Sequence, residues 1–105
     1  MTTDWIDACA ADDLEPEDVV GVRHAGRHYA VIRDAEGAFW AVDGLCTHQR
    51  APLARGVVLD DVIECPVHNG RFDFRTGAAK GAPACEALAT YPVRVEGGRV
   101  WIGVE

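Results

Sequence analysis

The sequence lacks any long hydrophobic run. No window approaches the length that a membrane-spanning helix requires, and the polar start at residues 1–4 lacks the apolar stretch of a secretory signal. We therefore expect a cytoplasmic protein with no membrane partner. Because thiols stay reduced in that compartment, disulfide bonds between its four cysteines are disfavoured, and closely spaced Cys and His residues more often indicate metal binding.

Positive charge is scarce. Ten Lys and Arg residues stand against seventeen Asp and Glu residues, which gives a formal net charge of −7. Nucleic acid binding needs a basic patch, so we expect no nucleic acid partner. Judged by net charge alone, a basic protein surface is the more plausible partner, because an acidic protein is steered toward one at moderate salt.

Internal repeats and low-complexity tracts are also absent. The length of 105 residues allows one domain with a modest core, to which a bound metal would add stability. Eleven glycines and five prolines indicate many turns. The sequence therefore predicts an all-β protein.

Short apolar segments predict the strands. They lie at residues 4–8, 19–23, 29–33, 38–42, 57–59, 62–64, 71–74, 91–95 and 100–102. Tight turns at residues 25–26 and 96–99 predict two hairpins, whereas the small residues of 78–87 predict a loop. Four aromatic residues are predicted to lie in the core: Trp40, Phe72, Phe74 and Trp101.

Two short pairs of metal-ligand residue types mark the middle of the chain. They are separated by sixteen residues and consist of Cys46 with His48 and Cys65 with His68. These ligand types suit zinc or an iron–sulfur cluster. A zinc finger usually groups two Cys and then two His, often on a helix, but here each pair is mixed and Pro66 disfavours a helix. A mixed pairing fits a two-iron cluster with thiolates on one iron and imidazoles on the other.

The motifs CTH at residues 46–48 and CPVHNGRFD at residues 65–73, with Thr-Gly at 76–77, resemble a known family. It comprises the small Rieske ferredoxins that supply electrons to bacterial ring-hydroxylating oxygenases. The resemblance extends over nearly the whole chain. We expect a Rieske fold in one domain of residues 1–105, with an antiparallel β-sandwich base (1–44 and 71–105) and an inserted cluster-binding subdomain at about 45–70.

The resemblance implies a Rieske-type [2Fe–2S] cofactor, whose ligands would be Cys46, His48, Cys65 and His68. The cysteines would bind the inner iron, and the histidines would bind an exposed outer iron. Backbone N–H groups near Gly70 would donate to the sulfides, and residues 81–83 resemble the proline loop that covers the cluster. Cys9 and Cys85 lie outside both pairs, and we expect them to be small buried or partly exposed residues.

The implied function is electron transfer, not catalysis. The chain would take electrons from an NAD(P)H-dependent flavin reductase and pass them to a terminal oxygenase, with a monomer as the default state. It has no mononuclear iron triad and is too short for an oxygenase catalytic domain. Two alternatives stay open at this point, namely a small Rieske subunit of a nitrite-reductase-like complex and a structural zinc module for protein interaction.

The residues around the ligand motifs predict a low reduction potential. High-potential respiratory Rieske proteins carry an extra cysteine in each ligand loop and Ser and Tyr hydroxyls against the cluster, where this chain has Ala51, Val67, Gly70 and Phe72. Fewer donors to sulfide leave the reduced cluster less stabilised. We predict a midpoint potential toward the low end of the roughly −150 to +300 mV Rieske range, to be measured by redox titration. A value in the upper half would contradict this reasoning.

Overall fold

The computed structural model describes residues 4–47, 50–66, 70–81 and 86–104. Short 3₁₀ helices occur at Ala11–Asp13 and Leu53–Arg55, and no helix in these ranges is long and apolar enough to cross a membrane. The described strands are β1 (Asp4–Ala10), β2 (Asp18–His24), β3 (Arg27–Arg33), β4 (Phe39–Asp43), β5 (Val57–Leu59), β6 (Val62–Glu64), β7 (Arg71–Asp73), β8 (Ala79–Gly81), β9 (Thr90–Tyr91), β10 (Val93–Glu96) and β11 (Arg99–Val104).

These strands form three antiparallel sheets. The base sheet has the order β1-β11-β10, the central sheet β2-β3-β4-β9, and the ligand-loop sheet β5-β6-β7-β8. The all-β prediction is confirmed. The hairpin predicted at residues 57–59 and 62–64 is present as β5 and β6.

The central sheet is buried on both faces, most clearly along β3. Tyr29 and Val31 pack into the core shared with the base sheet, whereas Ala30 and Ile32 pack into the core shared with the ligand-loop sheet. Successive residues of a strand point to opposite faces, so a run of four apolar residues can serve both cores. The central sheet thus supports the ligand loops directly from one side and is braced by the base sheet on the other.

Three sequence predictions are wrong in detail. The single strand predicted at residues 91–95 is divided at Pro92 into β9 of the central sheet and β10 of the base sheet. Residues 78–87 were predicted as a loop, but Ala79–Gly81 form β8, which pairs with β7. The three small or polar residues carry no strand periodicity of their own, and the open edge of β7 supplies the pairing. Trp101 is not a core residue, because Val100 and Ile102 point inward and leave it half-buried opposite Asp7.

The ligand-loop sheet extends past residue 70. Its strands β7 and β8 reach Gly81, and Phe72 and Phe74 are both fully buried in its core, as predicted. Trp40 is partly buried against the same core. The division into a base of 1–44 and 71–105 and a subdomain of about 45–70 stays a prediction.

Asp34 is a buried carboxylate that fixes the turn between β3 and β4. Its Oδ1 accepts the N–H groups of Glu36 and Ala38, each at 2.9 Å, and its Oδ2 accepts Trp40 Nε1–H at 2.9 Å. Burial alone would raise the pKa of Asp34, but these hydrogen bonds and the Arg75 guanidinium outweigh it and lower that pKa. Asp34 is therefore charged in the folded protein, and its carboxylate orders the turn and anchors Trp40.

Replacing Asp34 with Asn should lower the free energy of unfolding by about 1–3 kcal/mol at neutral pH, because the Asn amide cannot accept all three hydrogen bonds. Since folding lowers the pKa of Asp34, the charged group stabilises the protein above its unfolded-state pKa, and this stabilisation is lost as the pH falls below about 5. The wild type should therefore lose its advantage over Asp34→Asn in acid, which urea unfolding at several pH values can measure. Glu36→Gln, an exposed change in the same turn, is the control. A difference that does not vary with pH would contradict the assignment.

Candidate metal centre

Each predicted cysteine ligand opens a loop that is closed by the same backbone hydrogen bond. The N–H of Cys46 donates to the carbonyl of Ala51 at 2.9 Å, and the N–H of Cys65 donates to the carbonyl of Gly70 at 2.7 Å. In both cases the acceptor lies five positions after the cysteine. We call residues 46–51 the first ligand loop and residues 65–70 the second. Two segments of unlike sequence are thus closed by equivalent backbone hydrogen bonds.

The first ligand loop is held close to the central sheet. It follows β4, and the N–H of Gly44 donates to the carbonyl of His28 at 2.9 Å. A Cβ at Gly44 would lie only 2.7 Å from the backbone N of Tyr29, so glycine is needed for this approach. On the other side of the loop, Leu45 forms an isolated β-bridge with Pro52. The loop is therefore fixed at both ends.

The second ligand loop is the tip of the β6–β7 hairpin. Glu64 and Arg71 face each other across its base, and Arg71 Nε donates to Glu64 Oε2 at 3.0 Å. Gly56 links the two loops, because a Cβ there would collide with the carbonyl oxygen of Glu64. This close contact brings the segment that follows the first loop against the residue that precedes Cys65.

The two cysteines lie in one core. Cys46 is 1% exposed and Cys65 is 0% exposed, and both belong to the buried cluster that includes Ala51 and Phe72. Cys9 is also buried, as expected, but in the other core, against the base sheet. The structure therefore brings together the two cysteines that the motifs paired and separates them from Cys9.

Some predicted positions lie outside the described residues. These include both histidine ligands, His48 within the first ligand loop and His68 within the second, together with Cys85. The full ligand set thus stays a prediction. Two buried thiols that each open a loop containing a histidine fit a cluster with sulfur ligands on one iron and nitrogen ligands on the other.

Sequence reasoning missed a hydrogen-bonded clamp at the base of the first ligand loop. Asp43 ends β4, and its N–H donates to the carbonyl of Ala89 at 3.0 Å while its Oδ2 accepts the N–H of Ala89 at 3.0 Å. Its Oδ1 accepts the Tyr91 hydroxyl at 2.6 Å. Beyond the clamp, Thr47 Oγ1 donates to the carbonyl of Glu86 at 2.8 Å. The first ligand loop is thereby tied to the segment that leads into β9.

The Tyr91 hydroxyl is held in its protonated form. Burial raises the pKa of Tyr91, and the hydrogen bond to Asp43 and the charge of that carboxylate raise it further. A folded-state pKa above the unfolded value means that Tyr91 stabilises the fold below about pH 10 and that this contribution is lost as the pH rises above it.

Replacing Tyr91 with Phe should lower the free energy of unfolding by about 1–3 kcal/mol at neutral pH, because it removes a hydrogen bond to a charged group. The difference from the wild type should shrink in denaturant titrations above about pH 10, where unfolded-state Tyr ionises. Tyr29→Phe is a matched control, since its ring packs edge-on against Tyr91 at 5.0 Å and the Asp43 bond remains. Equal losses in both variants would show that removing a hydroxyl from either ring of this pair has the same effect, and that the bond to Asp43 is not responsible.

Comparison with known proteins agrees with this site. Residues 4–92 match the family model of the Rieske [2Fe-2S] domain. Over its whole length the chain is 44% identical to the ferredoxin component of the naphthalene 1,2-dioxygenase/salicylate 5-hydroxylase systems of Ralstonia sp, and it covers all of that protein.

Solved structures agree as well. A chain of the complex of reduced oxygenase and oxidised ferredoxin in carbazole 1,9a-dioxygenase matches with a TM-score of 0.87 and 35% identity, over 93% of this chain and 91% of that one. A Mycobacterium tuberculosis protein described as a nitrite reductase small subunit matches with a TM-score of 0.88 and 28% identity. That match covers 100% of this chain and 98% of that one. The predicted family, fold and cofactor are confirmed: the chain belongs to the Rieske [2Fe–2S] domain family.

Proposed function

We propose that this chain carries single electrons to a terminal ring-hydroxylating oxygenase, with Cys46, His48, Cys65 and His68 as the cluster ligands. The observation that carries the ligand assignment is the pair of equivalently closed loops, each opening on a buried cysteine. The carrier role is supported by the Ralstonia relative, which is a ferredoxin component and not the oxygenase itself. The chain is accordingly an electron-transfer component without a catalytic site of its own.

The two ends of the site have different tasks. The thiolates of Cys46 and Cys65 would hold one iron from inside the core, and the imidazoles of His48 and His68 would hold the other. When bound, a Rieske cluster accepts and releases one electron at a time. The near-complete burial of both cysteines keeps water from the sulfur ligands, and the closed loops hold their backbones in place. Such a fixed site needs little rearrangement on electron transfer.

The rest of the circuit follows from this role. We propose that a flavin-dependent reductase, driven by NAD(P)H, supplies the electrons, and that the carrier is a cytoplasmic monomer that meets each partner in turn. Redox encounters of this kind are brief and bury less than about 1,200 Å². A fold with its ligand loops fixed at both ends suits repeated docking without rearrangement.

A nitrite-reductase-like circuit is the weaker alternative. The same fold serves there, but the chain is more similar to the ferredoxin component of an oxygenase system than to the nitrite reductase small subunit. A structural zinc module is also disfavoured, because the family model that matches the chain is that of an iron–sulfur domain.

Replacing either His48 or His68 with Ala should abolish the visible absorption and the reduced-state EPR signal of the Rieske cluster, since each variant removes one ligand of the outer iron. His24→Ala is the matched control, because His24 is exposed at the end of β2. A full spectrum in either ligand variant would reject the assignment.

The carrier role can be tested by anaerobic mixing of the pre-reduced chain with oxidised oxygenase. We expect fast reoxidation of the chain, followed in a stopped-flow instrument, and substrate hydroxylation only when reductase, chain and oxygenase are all present. Preferential electron delivery to a nitrite reductase catalytic subunit would favour the alternative instead.

A further inference from the structure

We infer that Asp43 lowers the reduction potential of the cluster, because its carboxylate is a fixed negative charge beside the first ligand loop. The inference rests on the ligand set of the proposed function. Asp43 ends β4 three residues before Cys46, and three residues span at most about 11 Å. Asp43 also lines a cleft together with Cys46 and Thr47. It therefore lies close to a predicted ligand of the cluster.

The hydrogen bonds of the Asp43 side chain are those of an ionised carboxylate. Its Oδ1 accepts the Tyr91 hydroxyl at 2.6 Å, and its Oδ2 accepts the N–H of Ala89 at 3.0 Å. An ionised carboxylate is an acceptor only. Burial raises the pKa of Tyr91, and the hydrogen bond to Asp43 and the charge of Asp43 raise it further, which agrees with this state. Asp43 thus carries a negative charge at neutral pH.

The structure describes two half-buried carboxylates next to the ligand loops, and they differ in their partners. Glu64 directly precedes Cys65, and its Oε2 accepts Arg71 Nε–H at 3.0 Å in an ion pair. Asp43 forms no ion pair with any of the described residues. The charge of Glu64 is therefore offset by a neighbouring cation, and the charge of Asp43 is not.

Three exposed charged side chains share the cleft with Asp43, namely Arg27, Arg50 and Glu86. Together with Asp43 their formal charge is zero, but their surroundings differ. Charges in contact with water act through a high effective dielectric constant and are screened by salt, whereas a half-buried charge acts more strongly on its neighbours. The potential at the first ligand loop is therefore weighted toward Asp43.

The clamp does not require the charge that Asp43 supplies. A neutral amide could make both side-chain bonds, because Asn Oδ1 can accept the N–H of Ala89 and Asn Nδ2 can donate to the Tyr91 hydroxyl oxygen. A half-buried carboxylate without a cation carries a desolvation cost that an amide avoids. Folding alone therefore explains the hydrogen-bonding shape of this side chain but not its charge.

The clamp also fixes the orientation of the charge. Both carboxylate oxygens of Asp43 are hydrogen-bonded, and its backbone N–H donates to the carbonyl of Ala89 at 3.0 Å. A charge held in this way acts on a neighbouring group without having to reorganise. Asp43 is therefore suited to exert a constant effect on the cluster.

The direction of the effect follows from the charge of the proposed ligand set. Two sulfides and the thiolates of Cys46 and Cys65 balance two ferric ions when both imidazole ligands are neutral. One added electron therefore leaves a net negative charge, which the carboxylate of Asp43 repels. The oxidised form is favoured, and the midpoint potential falls. This effect has the same sign as the scarcity of hydrogen-bond donors predicted from the sequence.

The test measures the midpoint potential of the cluster-loaded protein by redox titration at neutral pH. Asp43→Asn removes the charge and can keep both side-chain bonds, so reduction should become about three- to tenfold more favourable, as expected for one partly screened charge near the cluster. Because a tenfold change corresponds to 59 mV for one electron, the midpoint potential should rise by about 30–60 mV. The visible spectrum and the reduced-state EPR signal check that the cluster is intact.

Two matched controls separate charge from geometry. Tyr91→Phe removes one bond of the clamp and keeps the charge, so the midpoint potential should not rise. Glu86→Gln makes the same carboxylate-to-amide change at an exposed side chain of the same cleft, and its effect should be clearly smaller. If Asp43→Asn alone binds too little cluster for titration, Asp43→Asn combined with Tyr91→Phe replaces both side chains of this hydrogen bond and should show the same rise.

An unchanged or lower midpoint potential in Asp43→Asn with an intact cluster would overturn the inference. An equal rise in Tyr91→Phe would also overturn it, because loop geometry would then set the potential. So would an equal rise in Glu86→Gln, because the total charge of the cleft would then be responsible. A wild type that holds no cluster, or that holds the cluster but reduces no oxygenase, would instead refute the proposed function.

Discussion

Two backbone hydrogen bonds, from Cys46 to Ala51 and from Cys65 to Gly70, are the constraint on which the site depends. They close two loops of unlike sequence in the same way and turn both cysteines into one core. Close backbone approaches at Gly44 and Gly56 hold these loops against the central sheet and against each other.

The base sheet and the central sheet support the ligand loops, and the ligand-loop sheet carries the second of them. The base sheet packs on one face of the central sheet, and the ligand-loop sheet packs on the other. Asp43 joins the end of β4 to the chain that enters β9, so the first ligand loop is also braced from its side. The acidic amino-terminal segment enters the central sheet at Asp18, at the end of the β2–β3 hairpin opposite its turn.

Local patterns in the sequence predicted much of this. The β5–β6 hairpin was correct because its two apolar segments flank a clear turn, and the ligand motifs were informative because cysteine and histidine at short spacing have few structural uses. The strand Ala79–Gly81 was missed because its pairing comes from β7 and not from its own residues. The bond between Asp43 and Tyr91 joins residues 48 positions apart, and no local pattern signals it.

The most direct test of the account is the iron and acid-labile sulfide content of anaerobically purified wild-type protein. The account predicts two irons and two labile sulfides per chain, as a [2Fe–2S] cluster requires. Protein that binds zinc in a defined ratio and contains no labile sulfide would contradict it.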